Sequence, residues 1–228
     1  MTHGVYREGH PLPTVLMHWL HLVCMILLGF TGFFIDSPFR FFGMTMGTAQ
    51  WIHYVCMYVV LINLAARVYW AFYGNGSAVA KGTRLIDRDY RNFGPQQANR
   101  GQLLETVKYY LFLRKTHPAS AKFNSLQKGT YVFWAALLLV QAYTGFALYG
   151  PTYNWPFFAA GTAAVGGLMT MRMIHYFIMW VFMITTMVHI YLSVAEDLSA
   201  LPLMFWWKET PAAEEPVDRH LSVPEGPA

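Results

Sequence analysis

The stretch RMIHYFIMWVFMITTMVHIYL, Arg172 to Leu192, sets His175 and His189 fourteen residues apart in an otherwise apolar run. At ~1.5 Å per residue that spacing is ~21 Å along a helix, and four turns of ~3.6 residues return the second imidazole almost to the azimuth of the first. Three more histidines sit in similar surroundings: His18 and His21 in MHWLHLVCMILLGFTGFFI, and His53 in WIHYVCMYVVLINLAARVYW. Imidazole binds metals and moves protons near neutral pH. Within a membrane span such a side chain is costly, so its presence points to function.

The composition places these runs in a membrane. Of 228 residues, 55% are hydrophobic and 12% charged, about half the charge of an average soluble domain. Crossing a ~30 Å hydrocarbon core takes roughly 20 apolar residues. Four segments qualify, at 14–35, 49–73, 128–149 and 172–196, so the expected fold is an all-α, four-helix membrane bundle. Between the second and third spans, residues 74–127 read as an extramembrane loop carrying an amphipathic surface helix at Leu103–Lys115. Residues 1–207 form the expected membrane domain; the tail 208–228 is Pro-rich and reads as disordered. The N-terminus lacks the tripartite pattern of a cleaved signal, so the first span is read as retained.

Ten of the sixteen Lys and Arg fall between Lys81 and Lys128. Cytoplasmic loops carry this excess, which puts the loop and both termini in the cytoplasm. Its basic character suits anionic lipid, and nucleic-acid binding is not expected. With this orientation His53 and His175 share an outer level. His18 and His189 share an inner one, with His21 nearby.

Imidazoles paired across a bundle at two depths are what six-coordinate haem iron requires. Interhelical hydrogen bonding, a haem-free anchor and a histidine-based transporter are the competing readings. The spans have no mid-helix proline or carboxylate, which speaks against transport. Arg67, fourteen residues after His53, and Arg172, one turn before His175, are candidate partners for haem propionates; snorkelling at helix ends is the alternative. Thr-Gly pairs in FTGFF and YTGFALY give a macrocycle room at the outer level, or pack helices closely. Cys24 and Cys56 read as packed core residues.

MHWLHLVCMILLGFTGFFI, WIHYVCMYVVLINLAARVYWAFYGN, LQKGTYVFWAALLLVQAYTGFALY and RMIHYFIMWVFMITTMVHIYLSVAEDLSA resemble the four helices of the b-type cytochrome subunit of membrane-bound nickel–iron hydrogenases. The gamma subunit of formate dehydrogenase shares the plan, but RVYWAFYGN favours the hydrogenase branch. The resemblance implies two b haems, one on His18 and His189 and one on His53 and His175. It also implies a hydrogenase small subunit with its large subunit as partner, membrane quinone as acceptor, and a bacterial inner-membrane location. The chain would then carry electrons without itself reacting with H2, and a dimer of complexes is compatible with this. His21 has no counterpart in the pattern and is read as a quinone-site or supporting residue. The chain departs from the family at Val15, where Arg is usual, and at Ala195-Glu196-Asp197, where Arg-Glu-Asp is common.

Overall fold

The computed structural model describes residues 12–39, 43–74, 88–93, 99–116, 118 and 125–196. The described residues form seven helices: α1 (Leu12–Asp36), α2 (Met46–Tyr73), α3 (Asp89–Phe93), α4 (Gln102–Tyr110), α5 (Ser125–Leu148), α6 (Pro156–Ala164) and α7 (Leu168–Glu196). Of these, α1, α2, α5 and α7 are long and apolar enough to cross a bilayer. The tail 208–228 lies outside the described residues.

Local chemistry explains where the long helices start. Before α2, the Thr45 hydroxyl accepts from the backbone N–H of Thr48 at 3.2 Å, an N-cap that starts the helix at Met46, ahead of the apolar run. Gly166 and Gly167, with φ of 94° and 112°, turn the chain so that α7 begins at Leu168. In α4 the helix stops at Tyr110, short of the expected Lys115. Phe112 adopts a left-handed φ of 59°, and Arg114 folds back to meet Glu105 at 2.8 Å. A side chain in the left-handed region cannot continue an α-helix.

α1 packs along α2, and α5 along α7. All four meet in a central layer of Cys24, Cys56, Val60, Leu138, Ile178 and Phe182. The outward faces stay apolar: Ile62, Met169 and Phe177 are each more than two-thirds exposed. Exposed apolar area on this scale suits hydrocarbon as solvent, where a helix satisfies its own backbone. α6 was not anticipated, because nine residues rich in Ala and Gly show no period. Pro156 opens it, at a position where a missing N–H costs nothing. It is tied to α5 by the Tyr143 hydroxyl, which donates to the Phe157 carbonyl at 3.0 Å.

Candidate functional site

The first histidine pair lies toward the α6 end of the bundle. His53 on α2 and His175 on α7 face each other with ring centroids 6.4 Å apart and planes inclined at 60°. Each ring is held by a threonine on a third or fourth helix. Thr31 Oγ1 on α1 lies 2.9 Å from His53 Nδ1, and Thr144 Oγ1 on α5 lies 2.8 Å from His175 Nδ1.

Proton counting fixes the direction of these bonds. A hydroxyl has one proton and two lone pairs. Thr31 donates its proton to the Leu27 carbonyl at 2.6 Å, and Thr144 donates to the Gln141 carbonyl at 2.9 Å. With those protons placed on the carbonyls, both oxygens accept from Nδ1–H, the tautomer that leaves the lone pair on Nε2 of each imidazole. At His175 the same tautomer is reported from the other side, where the Gln141 amide donates to Nε2 at 3.2 Å. A metal at His175 would take over that lone pair, and the Gln141 amide would turn away.

The glycines that follow these threonines keep the rings accessible. A Cβ on Gly145 would stand 3.3 Å from His175 Cε1, and one on Gly32 would stand 3.8 Å from His53 Cε1. Both halves of the bundle thus use one device: a Thr-Gly pair on the first helix holds a histidine on the second.

At the opposite end, His18 on α1 faces His189 on α7, with centroids 6.5 Å apart and planes inclined at 53°. Trp134 on α5 meets His189 edge-on at 5.3 Å and donates its indole N–H to Thr185 at 3.1 Å. Asn63, a buried polar side chain of α2, donates to the carbonyl of Met17 beside His18 at 2.9 Å. One turn further along α2, Arg67 donates to the Thr14 carbonyl at 3.3 Å, and its charge is within electrostatic reach of His21. Val15 is buried in α1. Arg172 is exposed on α7. Asp197 lies outside the described residues.

Among the described residues no three of His, Cys, Asp and Glu converge as a metal site. Each pair offers a metal two nitrogens, the number that an iron already held by four macrocycle nitrogens accepts. The separation agrees with this. Two bonds of ~2 Å from metal to imidazole nitrogen, plus about 1.1 Å from each nitrogen to its ring centre, put centroids roughly 6 Å apart. The residues present fit haem.

A profile of the prokaryotic cytochrome b561 family matches residues 9–207. The chain belongs to that family. It is accordingly a b-type cytochrome and a multi-pass membrane protein. Curated relatives span most of its length. One from Azotobacter vinelandii, named a probable Ni/Fe-hydrogenase B-type cytochrome subunit, is 30% identical over 198 residues, covering 82% of this chain and 79% of the relative. A probable Ni/Fe-hydrogenase 1 B-type cytochrome subunit of Escherichia coli K12 is 28% identical over 202 residues, covering 82% and 81%. A Rhodobacter capsulatus protein named like the first is 25% identical over 204 residues, covering 82% and 73%.

The structure adds to this cytochrome several residues that sequence reasoning did not single out: Thr31 and Thr144 as hydrogen-bond partners, and Gln141, Asn63 and Trp134. The Thr-Gly pairs were noticed for their small size alone. Asn63 could have been found as the one amide in the interior of the second span.

Proposed function

We propose that this cytochrome is the membrane electron-transfer subunit of a nickel–iron hydrogenase, carrying two b haems and linking the hydrogenase small subunit to membrane quinone. The observation that carries the proposal is the repeated geometry: two histidine pairs, 6.4 and 6.5 Å between centroids, sharing α7 as their common helix. The names of the relatives support a hydrogenase partner over formate dehydrogenase.

In this reading His53 and His175 hold the outer haem, and His18 and His189 the inner one. Bound there, haem supplies a one-electron couple. The residues do the rest. The threonine oxygens engage Nδ1 of both outer imidazoles and leave Nε2 for the iron, and the central apolar layer separates the levels. Arg172 and Arg67 supply guanidinium donors for propionates. Arg67 spends one of its five N–H groups on Thr14 and keeps the others. His21, beside Arg67, belongs to the region where quinone would approach. The connection between α2 and α5 faces the cytoplasm with both termini, residues 1–207 form the membrane domain, and α6 lies on the side from which the hydrogenase delivers electrons.

The test is haem stoichiometry with spectra. The purified chain should hold two b haems, and His53→Ala or His175→Ala should each remove the same one. His18→Ala and His189→Ala should each remove the other. A chain with one haem, or a variant at any of the four positions that keeps both, would overturn the assignment.

A further inference from the structure

We infer that Thr31 and Thr144 are positioning residues that set the electron affinity of the outer site below that of the inner one. The inference rests on the haem assignment proposed above.

At the outer level both imidazoles donate Nδ1–H to a hydroxyl oxygen, at 2.9 and 2.8 Å. Both threonines are almost fully buried, so water does not compete for these bonds. A hydrogen bond accepted from Nδ1–H draws the proton toward oxygen and leaves more electron density on the ring. The trans nitrogen, Nε2, becomes the stronger donor, and a stronger donor favours the more positive oxidation state of a bound metal. Each hydroxyl also has a helix carbonyl one turn back within reach of its own proton, which favours the accepting role toward the imidazole.

The inner level lacks this arrangement on its α7 side. His189 meets the edge of the Trp134 indole, and that indole spends its N–H on Thr185. Among the described residues no hydroxyl bonds the His189 ring. Both histidines that would hold the outer haem are thus enriched in electron density by the same device, while at least one histidine of the inner pair is not. The consequence is directional: an electron arriving at the outer site moves toward the inner one downhill. The two levels differ in their surroundings although their histidine pairs are nearly superimposable in spacing.

The test is an optical redox titration of the full chain carrying its haems, resolving the two couples. Thr31→Val and Thr144→Val remove the hydroxyl and nearly keep the shape. Each should raise the lower of the two couples by about tenfold in its reduction equilibrium, ~59 mV for one electron, and leave the other couple in place. Thr31→Ser and Thr144→Ser keep the oxygen and should stay close to the parent. Alanine at either position fits the space and gives the same comparison if a valine variant does not fold. Unshifted couples in the hydroxyl-free variants would overturn the inference and leave the haem assignment standing. Equal shifts in the serine and valine variants would also overturn it, since packing alone would then be responsible. A parent chain without b haem would remove the haem assignment, and this inference with it.

Discussion

Trp134 and His189 meet edge to face, 5.3 Å between centroids, and the indole that sets this contact is itself fixed by its N–H bond to Thr185 at 3.1 Å. Aromatic orientation next to one histidine is therefore secured through a hydroxyl one turn away on the same helix.

Trp134→Phe keeps a ring against His189 and loses the hydrogen bond. In a membrane interior such a bond is worth about 0.6 kcal/mol, seldom more than ~1.7, so a small fall in melting temperature is expected. Trp134→Ala removes the ring as well and should cost more than Trp134→Phe, through lost packing against His189. Thermal unfolding of the detergent-solubilised chain measures both. Equal losses from the two variants would show that the ring contact contributes nothing.

Gly145→Ala and Gly32→Ala should differ. The added methyl at Gly145 would press on the His175 imidazole, 3.3 Å from Cε1, whereas at Gly32 its nearest neighbour is the flexible end of Met179, at 3.4 Å. On the proposed assignment, Gly145→Ala should weaken haem retention at the His53–His175 level by about tenfold, the low end of effects seen when the surroundings of a ligand are disturbed. Gly32→Ala should have the smaller effect. Haem retention on dilution reads the difference, and the reverse order would contradict the packing described here.

Asn63→Leu removes the bond to Met17 and adds an apolar side chain in its place. Since the Met17 carbonyl is also a helix acceptor, the expected loss is modest, about 0.6–1.7 kcal/mol. On the proposed assignment the spectrum of the haem held by His18 and His189 should shift, because Met17 adjoins His18. A shift confined to the outer level would be inconsistent with the geometry.

How much of this was readable beforehand depended on whether a single helix carried the signal. The fourteen-residue interval between His175 and His189 lies within one helix, so periodicity gave their separation and shared azimuth, and the expected depths and the partners His53 and His18 came from the orientation read from charge. The threonine bonds cross between helices. Along the sequence Thr31 and Thr144 are ordinary span residues whose hydroxyls bond their own helix carbonyl. Nothing local reveals that the remaining lone pair faces an imidazole. Similarly α4 was visible as an amphipathic run, but its early end at Phe112 depends on Glu105 reaching Arg114 across a turn.

That turn gives a pH prediction. Hydrogen bonds and charge from Lys108, and then Arg114, hold the Glu105 carboxyl below its ordinary value of 4.5. A depressed carboxylate stabilises the folded arrangement fully above the ordinary value, and loses that contribution as pH falls through the lowered one. The turn at Leu111–Leu113 should loosen only in acid well below pH ~4.5, and Glu105→Gln should loosen it already at pH 7. A fluorophore on Leu113→Cys reports this, since Cys24 and Cys56 are buried. Because the pairs are exposed, about 1 M salt should weaken them too. An unchanged signal in Glu105→Gln would remove the carboxylate from the account.

The layer of Cys24, Cys56, Val60, Leu138, Ile178 and Phe182 has one more consequence. Its six side chains are thiols and hydrocarbon, and none of them relays a proton at neutral pH. On the proposed two-haem assignment, an electron passing between the histidine levels, ~21 Å along α7, would cross about two-thirds of a ~30 Å insulating slab. At ~2.3 kcal/mol per charge per 100 mV for the full thickness, that displacement is worth roughly 1.6 kcal/mol per 100 mV. In that reading the membrane voltage would oppose the inward-moving electron, and the bundle would act as one plate-to-plate path of a charged capacitor.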